Sequence, residues 1–245
     1  MTESTWNGFR RIDFDFEGRE VIVVFADEAN RTEKWMLKTE YFDAFPETEI
    51  ALMKRGYNLV YLKNLHRLGK EEDYDKKFAL SKFLKEEYGF SEKCVCVGMS
   101  CGGLHAVHLA ARYPEMIACL YLDAPVMNLL SWPLRLGNPA RTAEEKIHGT
   151  MEFYEATGMT ISEAICFRDH PMDRMPALLR NNIPVILVSG DSDMTVRYEE
   201  NGARLEKYYK ENGGIIEVHI KPGGDHHPHG LPDCKPIVDF IEKYY

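Results

Sequence analysis

Short apolar and β-branched runs alternate along the chain with longer amphipathic segments, several of which end at a glycine. The short runs predict strands, and the amphipathic segments predict helices. The predicted strands cover residues 8–16, 21–25, 57–62, 93–97, 116–122, 184–188 and 215–220. The predicted helices cover residues 41–55, 71–88, 198–211 and 235–244.

The order of these elements predicts an α/β fold. Because parallel strands are joined by crossovers that usually contain a helix, the alternation predicts a three-layer α/β/α sandwich around a mostly parallel, twisted sheet. The turn at residues 17–19 predicts an antiparallel hairpin near the start of the chain. Residues 128–171 hold no convincing strand and exceed an ordinary connection, which predicts a small helical cap. No repeat or linker divides the chain, so we expect one domain over residues 1–245.

Charge and composition exclude two classes of partner. The 245 residues include 30 Lys and Arg against 39 Asp and Glu, which gives a formal net charge of −9. An acidic chain without a basic run repels phosphate groups, so we expect neither nucleic acid nor an anionic membrane as a partner. The longest uncharged stretch, residues 94–111, contains glycine, serine and histidine positions that hydrocarbon would penalise, so no membrane span is predicted.

The amino terminus and the cysteines predict a cellular location. Residues 1–18 show no basic region followed by an apolar run, so we expect a cytoplasmic protein. The six cysteines follow no repeated CxxC spacing, and several lie inside apolar runs. We therefore expect buried thiols rather than a disulfide framework.

The uncharged stretch contains Gly98-Met99-Ser100-Cys101-Gly102 between the predicted strand 93–97 and a further helix predicted to start near residue 103. In a sharp strand-to-helix turn only minimal side chains fit two positions before and after the central residue, and that residue's hydroxyl projects from the edge of the sheet. Ser100 is therefore the candidate nucleophile. The backbone N–H of Cys101 is a candidate oxyanion donor at the helix N-terminus, whereas its thiol would point into the structure.

A serine hydroxyl requires an imidazole to accept its proton and a carboxylate to orient that imidazole. Asp191 and Asp193 follow the predicted strand 184–188, and three histidines follow the predicted strand 215–220: His226, His227 and His229. Asp191 is interpreted as a turn carboxylate. The chain thus offers serine, acid and base, in that order, at the ends of strands.

These motifs resemble the α/β-hydrolase fold family, in its serine esterase, lipase and prolyl-oligopeptidase-like branch, over about residues 8–245. The resemblance implies Ser-His-Asp chemistry. In that family the acid lies three residues after a glycine that ends a strand, which matches Asp193. The base follows a glycine-containing loop, which matches His226 ahead of its alternatives His227 and His229. The family's second oxyanion donor follows an early strand, which here implies the backbone of Ala26 or Asp27.

We interpret the chain as a serine hydrolase that cleaves a carboxylic ester through an acyl-enzyme intermediate, with no cofactor and no metal. Resemblance to compact esterases implies a small-molecule ester of a small acyl or aromatic group, including one carried on a carbohydrate. We predict substrate contacts at three further side chains: Trp35, His66 and Trp132. Two alternatives remain, namely a prolyl-oligopeptidase-like peptidase or amidase and a non-catalytic ligand-binding protein on the same scaffold. The sequence does not indicate the oligomeric state.

Overall fold

A central β-sheet of nine strands runs through the part of the chain that the computed structural model describes, residues 1–137 and 142–245. The strands are β1 (Thr2–Trp6), β2 (Phe9–Phe16), β3 (Arg19–Phe25), β4 (Trp35–Lys38), β5 (Asn58–Leu62), β6 (Cys94–Met99), β7 (Ile117–Asp123), β8 (Val185–Gly190) and β9 (Ile216–Lys221). Their order in the sheet is β1-β2-β3-β5-β4-β6-β7-β8-β9.

The first three strands form an antiparallel meander, and β3 also pairs antiparallel with β5. The two hairpin turns have positive φ at both central residues, 49° and 87° at Asn7-Gly8 and 51° and 82° at Glu17-Gly18. Paired positive φ values are typical of the type I′ turn, whose twist matches the flanking strands. From β5 to β9 all neighbouring strands are parallel, so their carboxyl ends lie along one edge of the sheet.

Eight α-helices occur in the described residues: α1 (Glu47–Met53), α2 (Glu71–Tyr88), α3 (Cys101–Arg112), α4 (Ala143–Thr157), α5 (Ile161–Cys166), α6 (Met175–Arg180), α7 (Gly202–Glu211) and α8 (Lys235–Tyr244). One apolar cluster packs α2, α3, α6 and α7 on one face of the sheet. A second cluster packs α1 and α8 on the other face. Alternating side chains of β6 enter the two clusters, because successive strand residues point to opposite faces. The predicted three-layer α/β/α sandwich is confirmed.

The connection between β7 and β8 carries α4 and α5, both of which lie inside the predicted insertion 128–171. A third apolar cluster joins Trp132 and Phe153 of this connection to Cys101 and Leu104 on the first turns of α3. The insertion therefore packs beside the start of α3. Residues 138–141 of the insertion lie outside the described residues.

Three predictions of secondary structure need correction. Strands β1 and β4 were not predicted, because β1 is a polar, exposed edge strand and β4 has only four residues. The predicted helix 41–55 is a loop followed by the short α1, since Tyr41 and Phe45 have φ values of 56° and 49° that a right-handed helix does not allow.

Four cysteines are buried as expected, but Cys166 is exposed and Cys234 is half-buried. The exposed thiol lies at the end of α5, outside the apolar runs on which the expectation rested. Among the described helices, none combines the length and the apolar character that crossing a bilayer requires.

Candidate active site

The turn between β6 and α3 holds Ser100 in a strained backbone conformation, with φ 53° and ψ −118°. Its N–H donates to the Asp123 carbonyl at 2.9 Å, and its carbonyl accepts from the N–H groups of Gly103 and Val126, each at 3.0 Å. A non-glycine residue persists at positive φ only where its surroundings fix it. These three hydrogen bonds fix the turn and present the hydroxyl at the carboxyl edge of the sheet.

The glycines around Ser100 are required by close approach rather than by their own φ angles. A Cβ atom at Gly98 would lie 2.7 Å from the Gly102 carbonyl oxygen, and one at Gly103 would lie 2.3 Å from the Pro125 Cβ atom. Both distances are far below van der Waals contact. The turn therefore requires Gly98, the first glycine of the motif, and also Gly103, which follows the motif. At Gly102, the second glycine of the motif, a Cβ atom would lie 3.0 Å from Thr39 Oγ1, which is tight but does not exclude a side chain.

The structure brings Ser100, His226 and Asp193 into one hydrogen-bonded chain. His226 Nε2 lies 3.0 Å from Ser100 Oγ, and His226 Nδ1 lies 2.7 Å from Asp193 Oδ2. The other carboxylate oxygen, Oδ1, accepts from the N–H groups of Thr195 and Val196 at 2.7 and 2.8 Å. Ser100, His226 and Asp193 are all buried. A nucleophile, a base and an orienting acid within hydrogen-bond reach is the geometry that acyl transfer requires.

Asp191 has a different role from its neighbour in the same loop. Its Oδ1 accepts from the Gly223 N–H at 2.7 Å and from the Ser192 hydroxyl at 3.0 Å. These bonds join the loop after β8 to the loop after β9, which carries His226. Asp191 is thus a turn carboxylate that supports the site from a distance.

The other two histidines of the cluster have partners of their own. His229 Nδ1 lies 2.8 Å from Asp123 Oδ1, and both side chains are buried. His227 is exposed and stacks on the Phe45 ring, with the ring centroids 5.5 Å apart and the planes at 14°. Partial burial, with the two neighbouring imidazoles, lowers the pKa of His227. Of the three candidates, His226 is the one that bonds to Ser100.

Cys101 is the first residue of α3, so its N–H lies directly beside Ser100 at the helix N-terminus. Its side chain is fully buried, and burial raises the pKa of the thiol to about 12. Because the thiolate is the reactive form, this thiol is not a competing nucleophile at neutral pH.

The prediction of Ala26 and Asp27 as oxyanion donors is wrong. They follow β3, which runs antiparallel to β5, so its carboxyl end lies at the sheet edge opposite Ser100. The Ala26 N–H donates to Asn58 Oδ1 at 3.2 Å. The strand beside β6 is β4, and the loop after it begins at residue 39. The early loop beside Ser100 is therefore the one after β4 and not the one after β3.

A cavity of about 310 Å³ opens at Ser100 and His226. Its walls include Tyr41, Phe45 and Trp132, and the substrate contact at Trp132 stays a prediction. Arg67 lines the cavity in place of the predicted His66, whose Nδ1 instead accepts from the Leu68 N–H at 3.1 Å. The predicted contact at His66 is therefore wrong.

The predicted contact at Trp35 is also wrong. Trp35 begins β4, at the edge of the sheet opposite Ser100, and is only 1% exposed. Its indole N–H donates to the Ser91 carbonyl at 2.9 Å, and its ring packs 6.2 Å from that of Phe90. Trp35 is a core residue with a satisfied polar atom, as is usual for a buried indole.

Comparison with known proteins identifies the family. Residues 54–244 match the Prolyl oligopeptidase family. The chain belongs to this family. No curated protein matches the chain in sequence. Membership of the family makes the chain a serine hydrolase with the α/β-hydrolase fold, in agreement with the geometry of the triad.

Two solved structures share the fold at low sequence identity. One is described as a dipeptidyl aminopeptidase IV from Bacteroides ovatus, with 14% identity and a TM-score of 0.66 over 96% of this chain and 35% of that one. The other is dipeptidyl peptidase 4 of Porphyromonas gingivalis, with 11% identity and a TM-score of 0.69 over 97% of this chain and 36% of that one. The chain thus spans about a third of the length of these two proteins.

This member of the prolyl oligopeptidase family carries site residues that the sequence analysis missed. Tyr41 lies in the loop after β4, lines the cavity with Ser100 and contacts Cys101. Burial raises the pKa of its phenol, so the hydroxyl stays protonated as a hydrogen-bond donor. No sequence signal marks Tyr41, because β4 itself was not recognised. Asp123 had a signal, since it is an acid that ends an apolar strand.

Arg67 ties the insertion to the cavity. Its Nη2 donates to Glu152 Oε2 of α4 at 2.7 Å, and its guanidinium lies 5.2 Å above the centre of the Trp132 ring. The bond to Glu152 raises the pKa of Arg67, which therefore stays charged. A bidentate pair stacked on an aromatic ring fixes the position of the cavity wall.

Proposed function

We propose that this chain is a serine peptidase domain that cleaves peptide bonds through an acyl-enzyme intermediate. The observation that carries the proposal is the hydrogen-bonded chain from Ser100 through His226 to Asp193. The family match favours the peptidase alternative over the ester hydrolase, since both reactions use the same triad and the family is one of oligopeptidases. The cytoplasmic location, the cap function of the insertion and a small-molecule substrate stay predictions.

The proposed reaction starts with attack by Ser100 Oγ on the scissile carbonyl carbon while its proton passes to His226 Nε2. Asp193 stabilises the imidazolium, which then gives the proton to the leaving amine as the C–N bond breaks. Water next attacks the acyl-enzyme and loses its proton to the same Nε2. That proton returns to Ser100 Oγ as the carboxylic acid leaves, so the enzyme is restored.

The tetrahedral intermediates carry an oxyanion that needs two donors. We assign one to the Cys101 N–H at the start of α3, where the helix dipole favours negative charge. We assign the second to the Tyr41 hydroxyl, which lines the same cavity as Ser100 on the loop of the neighbouring strand β4.

Tyr41→Phe is expected to lower kcat by about 10²- to 10³-fold, the usual effect of losing one oxyanion donor. Phenylalanine keeps the ring and removes only the hydroxyl, so KM is expected to change little. Steady-state kinetics with a peptidyl p-nitroanilide measure both constants. Phe45→Leu, on the same cavity wall but without a polar atom, is the matched control. A Tyr41→Phe enzyme with unchanged kcat would exclude the hydroxyl as donor.

The cavity indicates the class of side chain that it accepts. Its aromatic walls and its volume of about 310 Å³ suit a small apolar group such as a proline ring. We therefore expect kcat/KM for alanyl-prolyl p-nitroanilide to exceed that for alanyl-glutamyl p-nitroanilide by at least about tenfold, which corresponds to about 1.4 kcal/mol.

Hydrolysis of p-nitrophenyl acetate and p-nitrophenyl butyrate, measured together with that of the p-nitroanilides, tests the hypothesis that the chain is an ester hydrolase. Because p-nitrophenyl esters are activated, their hydrolysis alone does not identify an esterase. The peptidase proposal fails if the chain hydrolyses acetyl or feruloyl esters of unactivated alcohols while none of the p-nitroanilides, free or N-blocked, is cleaved.

A further inference from the structure

Three histidines of one short segment, His226, His227 and His229, converge beside the nucleophile. One ring nitrogen of each lies within 4.8 Å of those of the other two. Their ring centroids are 4.8 to 4.9 Å apart, and all three side chains line the cavity at Ser100. The triad uses only His226, so the convergence of the other two is unexplained by the proposed reaction.

Two of the rings are oriented by buried carboxylates. His226 Nδ1 bonds to Asp193 at 2.7 Å, and His229 Nδ1 bonds to Asp123 at 2.8 Å. A carboxylate on Nδ1 keeps the proton there and leaves the Nε2 lone pair free for another partner. Metal-binding histidines almost always donate their other ring N–H to a carboxylate, a backbone carbonyl or water, and this partner fixes the tautomer and raises the basicity of the ligand.

The third ring is held in place by packing. His227 stacks on Phe45, and the same phenylalanine contacts His229 edge-on with the centroids 5.3 Å apart. His227 is the exposed member of the three, and its side chain lines the cavity at Ser100. The cluster thus presents three imidazoles at one cavity.

Three histidine nitrogens, with water as the fourth ligand, are a ligand set that binds zinc in proteins. Zinc lies about 2.0–2.1 Å from each nitrogen, which in a tetrahedral site separates the nitrogens by about 3.3 Å. The widest separation here, 4.8 Å, must therefore shrink by about 1.5 Å. We expect most of this movement from His227, because it is the exposed ring of the three.

We propose that His226, His227 and His229 bind Zn²⁺ and that the bound ion reversibly inhibits the enzyme. Zinc on His226 Nε2 occupies the lone pair that otherwise accepts the Ser100 proton, so the serine cannot be activated. The inhibition rests on the proposed function, whereas zinc binding does not. The sequence predicted no metal here, and the carboxylates that orient His226 and His229 come from distant strands.

Zinc binding is tested first on Ser100→Ala protein, which separates binding from turnover. Isothermal titration of the EDTA-treated, dialysed protein with zinc chloride is expected to show one ion per chain. His227→Gln and His229→Gln, each in the Ser100→Ala background, are expected to weaken binding by at least about tenfold. Because His229 is buried, His227→Gln is the decisive variant if His229→Gln does not fold.

Surface variants serve as matched controls. His219, which lies 2.7 Å from Glu217 on exposed β9, and the exposed Cys166 are the obvious alternative zinc ligands. His219→Gln and Cys166→Ser are expected to leave zinc affinity unchanged. Zinc binding that is absent, or that is lost in these controls and kept in His227→Gln, would overturn the proposal.

Inhibition is tested on the wild-type chain by the rate of fluorophosphonate labelling, which needs no known substrate. Zinc is expected to slow labelling, EDTA to restore it, and Mg²⁺ at the same concentration to have no effect. The labelling rate of each protein is normalised to its own zinc-free rate. On this scale His227→Gln is expected to raise the half-inhibitory zinc concentration at least tenfold above that of the wild type. If zinc binds at the histidines without slowing the labelling, the proposal that the bound ion inhibits the enzyme is overturned. Zinc-sensitive labelling in a chain that cleaves no peptide would contradict the peptidase proposal alone.

Discussion

Ser100→Ala is expected to reduce kcat by about 10³- to 10⁶-fold, because the removal of the nucleophile leaves only the oxyanion donors and substrate binding. The alanine side chain fits the strained turn as serine does, since the hydrogen bonds that fix it come from the backbone. The fold and the melting temperature are therefore expected to stay close to those of the wild type. Turnover of alanyl-prolyl p-nitroanilide and covalent labelling by a fluorophosphonate probe measure the loss.

The control for this experiment is Cys101→Ala. It removes the thiol next to Ser100 but keeps the backbone N–H that we assign to the oxyanion. Labelling is expected to persist in Cys101→Ala and to disappear in Ser100→Ala. The reverse result would make Cys101 the nucleophile, and a wild-type chain that never labels would favour the non-catalytic scaffold over the enzyme.

The layers of the fold follow from local patterns, and for that reason the sequence predicted them. β6, β7 and β8 are buried along their whole length, so they read as continuous apolar runs. α2 ends at Gly89 in the left-handed conformation, φ 69°, which is the glycine that the sequence analysis used as its stop signal. Such signals depend only on nearby residues.

The missed strands depend on neighbours that the sequence does not show. β4 has four residues, too few to establish a period, and it forms because β5 and β6 pair with it on both sides. That single omission misplaced the oxyanion loop, since the sheet order β3-β5-β4-β6 separates β3 from the nucleophile strand. Sheet order is a tertiary property that no local pattern carries.

The site divides in the same way. Ser100 is marked by a local motif, and Asp193 and His226 by their positions after strands in a familiar family. Arg67 and Glu152 form an ion pair although they lie 85 residues apart in the chain, and no local sequence pattern around either residue indicates the pair. The sequence therefore predicted the reacting groups but, of the residues that line the cavity around them, only Trp132.

Asp193→Asn is expected to lower kcat by about 10⁴-fold while the site keeps its geometry. The N–H groups of Thr195 and Val196 hold Oδ1, so the amide oxygen of asparagine takes that position and its NH₂ group faces His226. Nδ1 must then accept a hydrogen bond, which moves the imidazole proton to Nε2. In that tautomer His226 cannot accept the Ser100 proton. Steady-state kinetics on the prolyl substrate give the loss.

Asp191→Asn is the matched control two residues away. Its amide oxygen can still accept from the Gly223 N–H, so the two loops stay joined and kcat is expected to remain within about threefold of the wild type. The ratio of the two effects separates orientation of the imidazole from support of the loop. Equal losses in the two variants would mean that the acid contributes by holding the loop after β9 and not by choosing the tautomer of His226.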